Sequence, residues 1–181
     1  MSETESLLSM IASGYGDRPN IMTEYSGMDW LKTAQFIVRN LNLANSSGYI
    51  YWDMVWGEDD DKAMIKINYS GDYTLTPFYF MMKHFAKNVN AGDFRIDAGS
   101  SSTSLDYSAF INSEGNKITL VVINPMPYDM KIDFKVTGKT ISAITGVQTT
   151  ESSVYKDTGT ISLTDPVMLK AGSLSTFVLS I

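Results

Sequence analysis

The spacing of apolar residues changes character about halfway along the chain. In the first half it repeats at helical intervals. Leu7, Leu8 and Ile11 predict a short helix over 3–12 that runs into Gly14 and Gly16. Trp30, Ala34, Ile37 and Leu41 make one apolar face and predict a second helix over 28–44. Ser26, three residues before Asp29, forms an approximate capping box at its start. Thr76 and Pro77 read as N-cap and first position of a third helix over 77–89, with Phe78, Met81, Met82, Phe85 and Val89 as its apolar face. Two apolar runs, 19–24 and 49–56, predict strands on either side of the second helix. Strand, helix and strand with short joints make a βαβ unit, whose strands are parallel. A small strand is expected at 64–67.

From about residue 94 the pattern alternates. KITLVVIN (117–124) and MKIDFKV (130–136) predict strands, the second with Met130, Ile132, Phe134 and Val136 inward and charged residues outward. Further strands are expected at 104–112, 140–145, 159–163 and 173–181, separated by turn signals at 114–116, 125–127 and 157–159. Such spacing suggests an antiparallel sandwich. The fold class is therefore α/β plus all-β, with domains over 1–92 and 93–181.

Composition narrows the function classes. The 181 residues are 44% hydrophobic and 12% aromatic, enough to bury a substantial core. A net charge of −6 with no basic stripe argues against a nucleic-acid partner. The absence of cysteine excludes disulfides and thiolate metal sites. No apolar run reaches the length of a membrane span, and the first ten residues lack the layout of a signal peptide. The acidic run Glu58 to Asp61 lacks the spaced ligands and internal glycine of a calcium loop, so no metal is expected. The methionines read as core filler, and His84 lies within the third helix, away from strand ends.

Candidate chemistry centres on Glu24. It stands at the C-terminal tip of the first predicted strand, where parallel strands open into ligand-binding crevices. On spacing alone it reads equally as a loop acid that helps cap the next helix.

Four pieces read together, IMTEYS, YIYWDMVW, TPFYFMMKHFAKNVNAGDFRI and KAGSLSTFVL, resemble glycoside hydrolase family 30 in order and spacing. The resemblance covers nearly the whole chain from Pro19. It implies a partial (β/α)8 barrel, strands seven and eight with their helices, followed by an antiparallel β-sandwich side domain. The implied activity is that of a retaining β-glycosidase, with Glu24 in the position of the nucleophile and no cofactor. The acid/base, a Glu on the fourth strand in the family, is expected with barrel strands one to six from upstream sequence. The chain alone is then expected to be inactive. Trp52 is expected to contact substrate and Trp56 more weakly, although core packing is the ordinary role of such residues. If both face the barrel interior, Asp53 points the other way. Tyr25 could bond to the nucleophile or the sugar, or only cover the helix start.

Glucuronoxylan-specific members carry arginine on or just after the eighth strand. Here the stretch DMVWGEDDD is acidic, which favours a neutral β-linked glycan or glycoside. The resemblance also implies an extracellular or periplasmic location, although no leader is present in this sequence. The alternative is a non-catalytic carbohydrate-binding or structural β-sandwich module.

Overall fold

In the computed structural model the described residues are 3–15, 18–24 and 27–181. They divide into two compact units, Met1–Tyr79 and Phe80–Ile181. The sequence pattern put its division at residue 92.

The first unit opens with α1 (Glu3–Tyr15), which packs against α2 and buries Leu8. The helix runs through Gly14, and the expected stop at Gly16 lies outside the described residues. β1 is only Ile21–Met22, and α2 spans Trp30–Leu43. Asp29 is the N-cap of α2, its carboxylate accepting from Lys32 N; Ser26 lies outside the described residues. Ala34 and Ile37 are buried as the spacing predicts, joined by Thr33, Val38 and Asn40. β2 (Gly48–Tyr49) then pairs in parallel with β1, Ile21 opposite Gly48 and Met22 opposite Tyr49.

Asn20 clamps this pair. Its Nδ2 donates to Ala44 O at 3.1 Å, its Oδ1 accepts from Ser46 Oγ at 2.7 Å, and its carbonyl accepts from Ser47 N at 2.7 Å. One residue, through its side chain and its backbone carbonyl, thereby ties the end of α2 to the start of both strands.

The single strand expected over 49–56 is two strands. Pairing with β1 ends at Tyr49 and resumes in β3 (Val55–Gly57), which takes a different partner, β4 (Ile65–Ile67). β4 in turn pairs antiparallel with β5 (Tyr73–Leu75). The reason is local. Tyr51 turns inward, stacking on Phe78 with ring centroids 5.6 Å apart and donating its hydroxyl to Lys62 O at 2.7 Å. Residues 50–54 keep strand-like alternation of burial without a ladder.

α3 (Pro77–Ala86) starts as its sequence predicts, with Thr76 Oγ1 accepting from Phe78 N at 3.2 Å and donating to Ala63 O at 2.7 Å. The division between units falls inside this helix.

The second unit is built on one sheet. Its strands are β6 (Phe94–Ile96), β7 (Asp106–Ile111), β8 (Lys117–Asn124), β10 (Ala143–Thr150), β11 (Ser153–Thr160) and β13 (Ser173–Ser180). All pair antiparallel in the order β11-β10-β13-β8-β7-β6. A two-stranded sheet of β9 (Met130–Ile132) and β12 (Val167–Leu169) lies over one face. Ile118, Val122, Ile144, Phe177 and Leu179 of the large sheet form one cluster with Val167 and Leu169 of the small one. β9 is shorter than expected, yet Phe134 and Val136 still pack on this cluster beyond the ladder. Gly146 is required here, because a Cβ would come within 2.7 Å of the Phe177 ring.

The opposite face of the large sheet mixes buried Val121, Ile123 and Leu174 with Thr119, Thr149 and Thr176, and its threonines receive the second half of α3. His84 is fully buried, with Nδ1 2.9 Å from Thr176 Oγ1 and Nε2 2.8 Å from Thr149 Oγ1. Tyr155 N donates to Thr149 Oγ1, and Thr176 Oγ1 donates to His84 O. These directions assign the proton to Nδ1 and leave the ring neutral. Burial, with the Lys83 ammonium beside it, pushes the imidazole down to about 3.

The sign of the pH dependence follows. The unfolded imidazole takes up a proton near 6.5, the folded one only near 3, so stability is complete above 6.5 and falls as pH drops. Between pH 6.5 and 5, the unfolding free energy from urea titrations is expected to fall by about 2 kcal/mol in the parent. The fall should be largely absent in His84→Gln. An identical pH profile in the two proteins would contradict the buried neutral assignment.

Candidate functional site

Parallel strands leave a sheet in the same direction, so the β1–β2 pair sets which residues emerge together. Ile50 N donates to Met22 O at 2.8 Å, closing the ladder. Beyond it the chain reaches Glu24 on one strand and Tyr51–Trp52 on the other. Glu24 is exposed two residues past β1. Trp52 is 54% exposed. The two therefore follow the same end of the pair, while Tyr25 lies outside the described residues. Trp56 is half exposed but sits within β3, on the face it shares with Lys66 and Thr74.

Asp53 takes the opposite orientation from its neighbours. It is buried, 8% exposed, between exposed Trp52 and Met54. Its Oδ1 is shielded from solvent and has no hydrogen-bond partner. Burial, reinforced by the Asp60 carboxylate, pushes its pKa up from the ordinary carboxylate value.

The loop after β3 is fixed by Lys62. Its ammonium donates to Met28 O at 2.9 Å and lies 5.7 Å from the Phe78 ring centroid, while its amide donates to Asp60 Oδ1 at 2.7 Å. Lys66 pairs with Asp61, whose carboxyl is held below the usual range by that contact. Among the described residues, no group of three or more His, Asp or Glu side chains is arranged to hold a metal ion. The Lys62 tie escaped the sequence reading because its acceptor is a backbone carbonyl far back in the chain, which leaves no residue-type signal.

No family model and no curated relative matches the sequence. Solved structures do match, over nearly the whole chain. A family 30 endoxylanase from Clostridium papyrosolvens C71 superposes with TM-score 0.78 at 22% identity, over 95% of this chain and 44% of that one. A conserved exported protein from Bacteroides fragilis gives TM-score 0.81 at 19% identity, over 96% and 42%. An endo-β-1,6-glucanase gives 0.66 at 17% identity, over 98% and 39%.

The fold resembles the C-terminal portion of family 30 glycoside hydrolases. At these identities the likeness is one of fold. The chain spans less than half the length of the family 30 endoxylanase that it matches. No helix among the described residues is long and apolar enough to cross a membrane.

Asp53 generates a stability test. A carboxyl whose folded-state acidity is weakened costs stability at neutral pH, and the cost disappears once pH falls below its ordinary value of 3.8. Asp53→Asn is therefore expected to raise the melting midpoint at pH 7, with a gain that shrinks as pH approaches 4. A lower midpoint at pH 7 would show that the carboxylate has a stabilising partner.

Proposed function

We propose that this chain is the nucleophile-bearing portion of a retaining β-glycosidase acting on a neutral β-linked glycan or glycoside. The observation that carries the reading is the parallel β1–β2 pair, which sends exposed Glu24 and exposed Trp52 out from the same sheet end. In this reading β1 and β2 are strands seven and eight of a (β/α)8 barrel, and the second unit is its β-sandwich side domain. The fold likeness to family 30 xylanases supports it.

Retaining chemistry needs two carboxyl groups about 5 to 5.5 Å apart. The ionised one attacks the anomeric carbon as the glycosidic bond breaks, forming a glycosyl ester. The protonated one gives its proton to the leaving oxygen, then takes a proton from the water that cleaves the ester. Glu24 fills the first role. The acid/base belongs to a barrel strand outside these 181 residues. Trp52 offers an apolar face on which the C–H face of a sugar ring stacks, with Trp56 and Tyr25 as further contacts. The acidic residues Glu58 to Asp61 disfavour an anionic substituent near the cleft. The exported neighbour and the polysaccharide substrates in the neighbours' names fit an extracellular or periplasmic enzyme.

The purified chain is expected not to turn over aryl β-glycosides. In the polypeptide that also contains the other barrel strands, Glu24→Gln should lower kcat by at least about 10^4-fold, the scale for losing one member of a catalytic unit. Full activity in that variant would remove Glu24 from the mechanism. Turnover by the chain alone, abolished by Glu24→Gln, would overturn the assignment of the acid/base to another segment.

A further inference from the structure

The β4–β5 hairpin carries a second concentration of aromatic surface. Its turn is fastened by Asn68: Oδ1 accepts from Ser70 N and Asp72 N, both at 2.9 Å, and its amide and carbonyl bond Asp72 O and Gly71 N. Gly71 supplies the positive φ of 86° that the turn requires. This fastened tip holds Tyr69 fully exposed, and Tyr73 beside it is 70% exposed.

The strand register extends the surface. Gly57, Ile67 and Tyr73 stand in one row across β3, β4 and β5, so they share a face. Ile67 is partly exposed on it. Gly57 leaves room for the Asp59 carboxylate, whose Oδ1 lies 2.9 Å from where a Cβ would project. The face thus combines aromatic and aliphatic surface with a hydrogen-bond acceptor at one end.

That combination selects its ligand. Two tyrosines and an isoleucine offer a few hundred Å2, well below the roughly 1,000 Å2 that a stable protein interface needs. They match the faces of two or three sugar rings. The carboxylates of Asp59 and the adjoining acidic loop accept from hydroxyls and repel anions.

We propose that the β3–β4–β5 face is a glycan platform, on which Tyr69 and Tyr73 stack against sugar rings of a neutral β-glycan while Asp59 accepts from a ring hydroxyl. The proposal takes only its ligand class from the glycosidase reading. It adds that the substrate is a polymer held beside the cleft as well as within it.

Affinity electrophoresis of the protein through arabinoxylan, β-1,6-glucan and barley β-glucan, with carboxymethyl cellulose as anionic control, tests this. At least one neutral polymer is expected to retard the parent, and carboxymethyl cellulose is not. The Tyr69→Ala/Tyr73→Ala double variant should bind about tenfold more weakly. Tyr69→Phe/Tyr73→Phe should bind like the parent, showing that the loss is one of stacking and not of folding. Equal retardation of the alanine double variant and the parent, or no retardation of the parent by any neutral polymer, would overturn the platform. Tyrosine-dependent retardation, together with no hydrolysis by the polypeptide that also contains the other barrel strands, would keep the platform and remove the glycosidase.

Discussion

The glycosidase reading of this chain depends on a parallel pairing of two residues with two. Ile21–Met22 and Gly48–Tyr49 make a ladder too short to stand alone, since isolated two-stranded sheets are at best marginal in water. It is held by Phe36 of α2, whose ring meets Tyr49 edge-on, and by Asn20, whose hydrogen bonds reach the helix end and both strand starts. The pairing is parallel, so the two chains leave in the same direction. That shared direction turns Glu24 from a loop acid into a candidate nucleophile.

Polar groups bound the rest of the architecture more tightly than the apolar core does. Tyr51, Lys62 and Thr76 each bring a polar atom to a backbone carbonyl, which fixes the loop after β3 and the start of α3. In the second unit His84 finds a hydroxyl for each ring nitrogen and seats its helix on a threonine-rich face. Asp53 is the exception, with a buried oxygen that has no partner. Buried carboxylates are normally paired, so this residue is where the first unit gives up stability.

The sequence was most readable where one period ran long enough to outweigh local effects. Ala34 and Ile37 of α2, Phe78, Met81 and Phe85 of α3, and the strand Lys117–Asn124 emerge as the spacing predicts, although Trp30 and Leu41 are only half-buried and α3 ends at Ala86, before Val89. Readability failed where a side chain redirected the backbone. Tyr51 and Asp53 turn inward, so the run 49–56 breaks into β2 and β3 although its burial still alternates. β5, β6 and β12 have three residues each, too few to declare a period. The partners of His84 lie 65 and 92 residues away, beyond any local pattern. Of the candidate site, Glu24 could be flagged from its strand-tip position, whereas its role and the choice of Trp52 came from the family resemblance. Tyr69 and Tyr73 could not, because their exposure comes from a hairpin the pattern did not disclose.

The central claim is that the Glu24 carboxylate forms a covalent bond to sugar. Peptide mapping by mass spectrometry, after inactivating the barrel-containing polypeptide with a 2-deoxy-2-fluoro-β-glycosyl fluoride, reads that bond directly. Loss of fluoride needs no protonated partner, and the fluorine at C2 slows release of the ester. The account predicts one added glycosyl mass on the peptide containing Glu24. A label on any other carboxylate, with Glu24 unmodified, would contradict it.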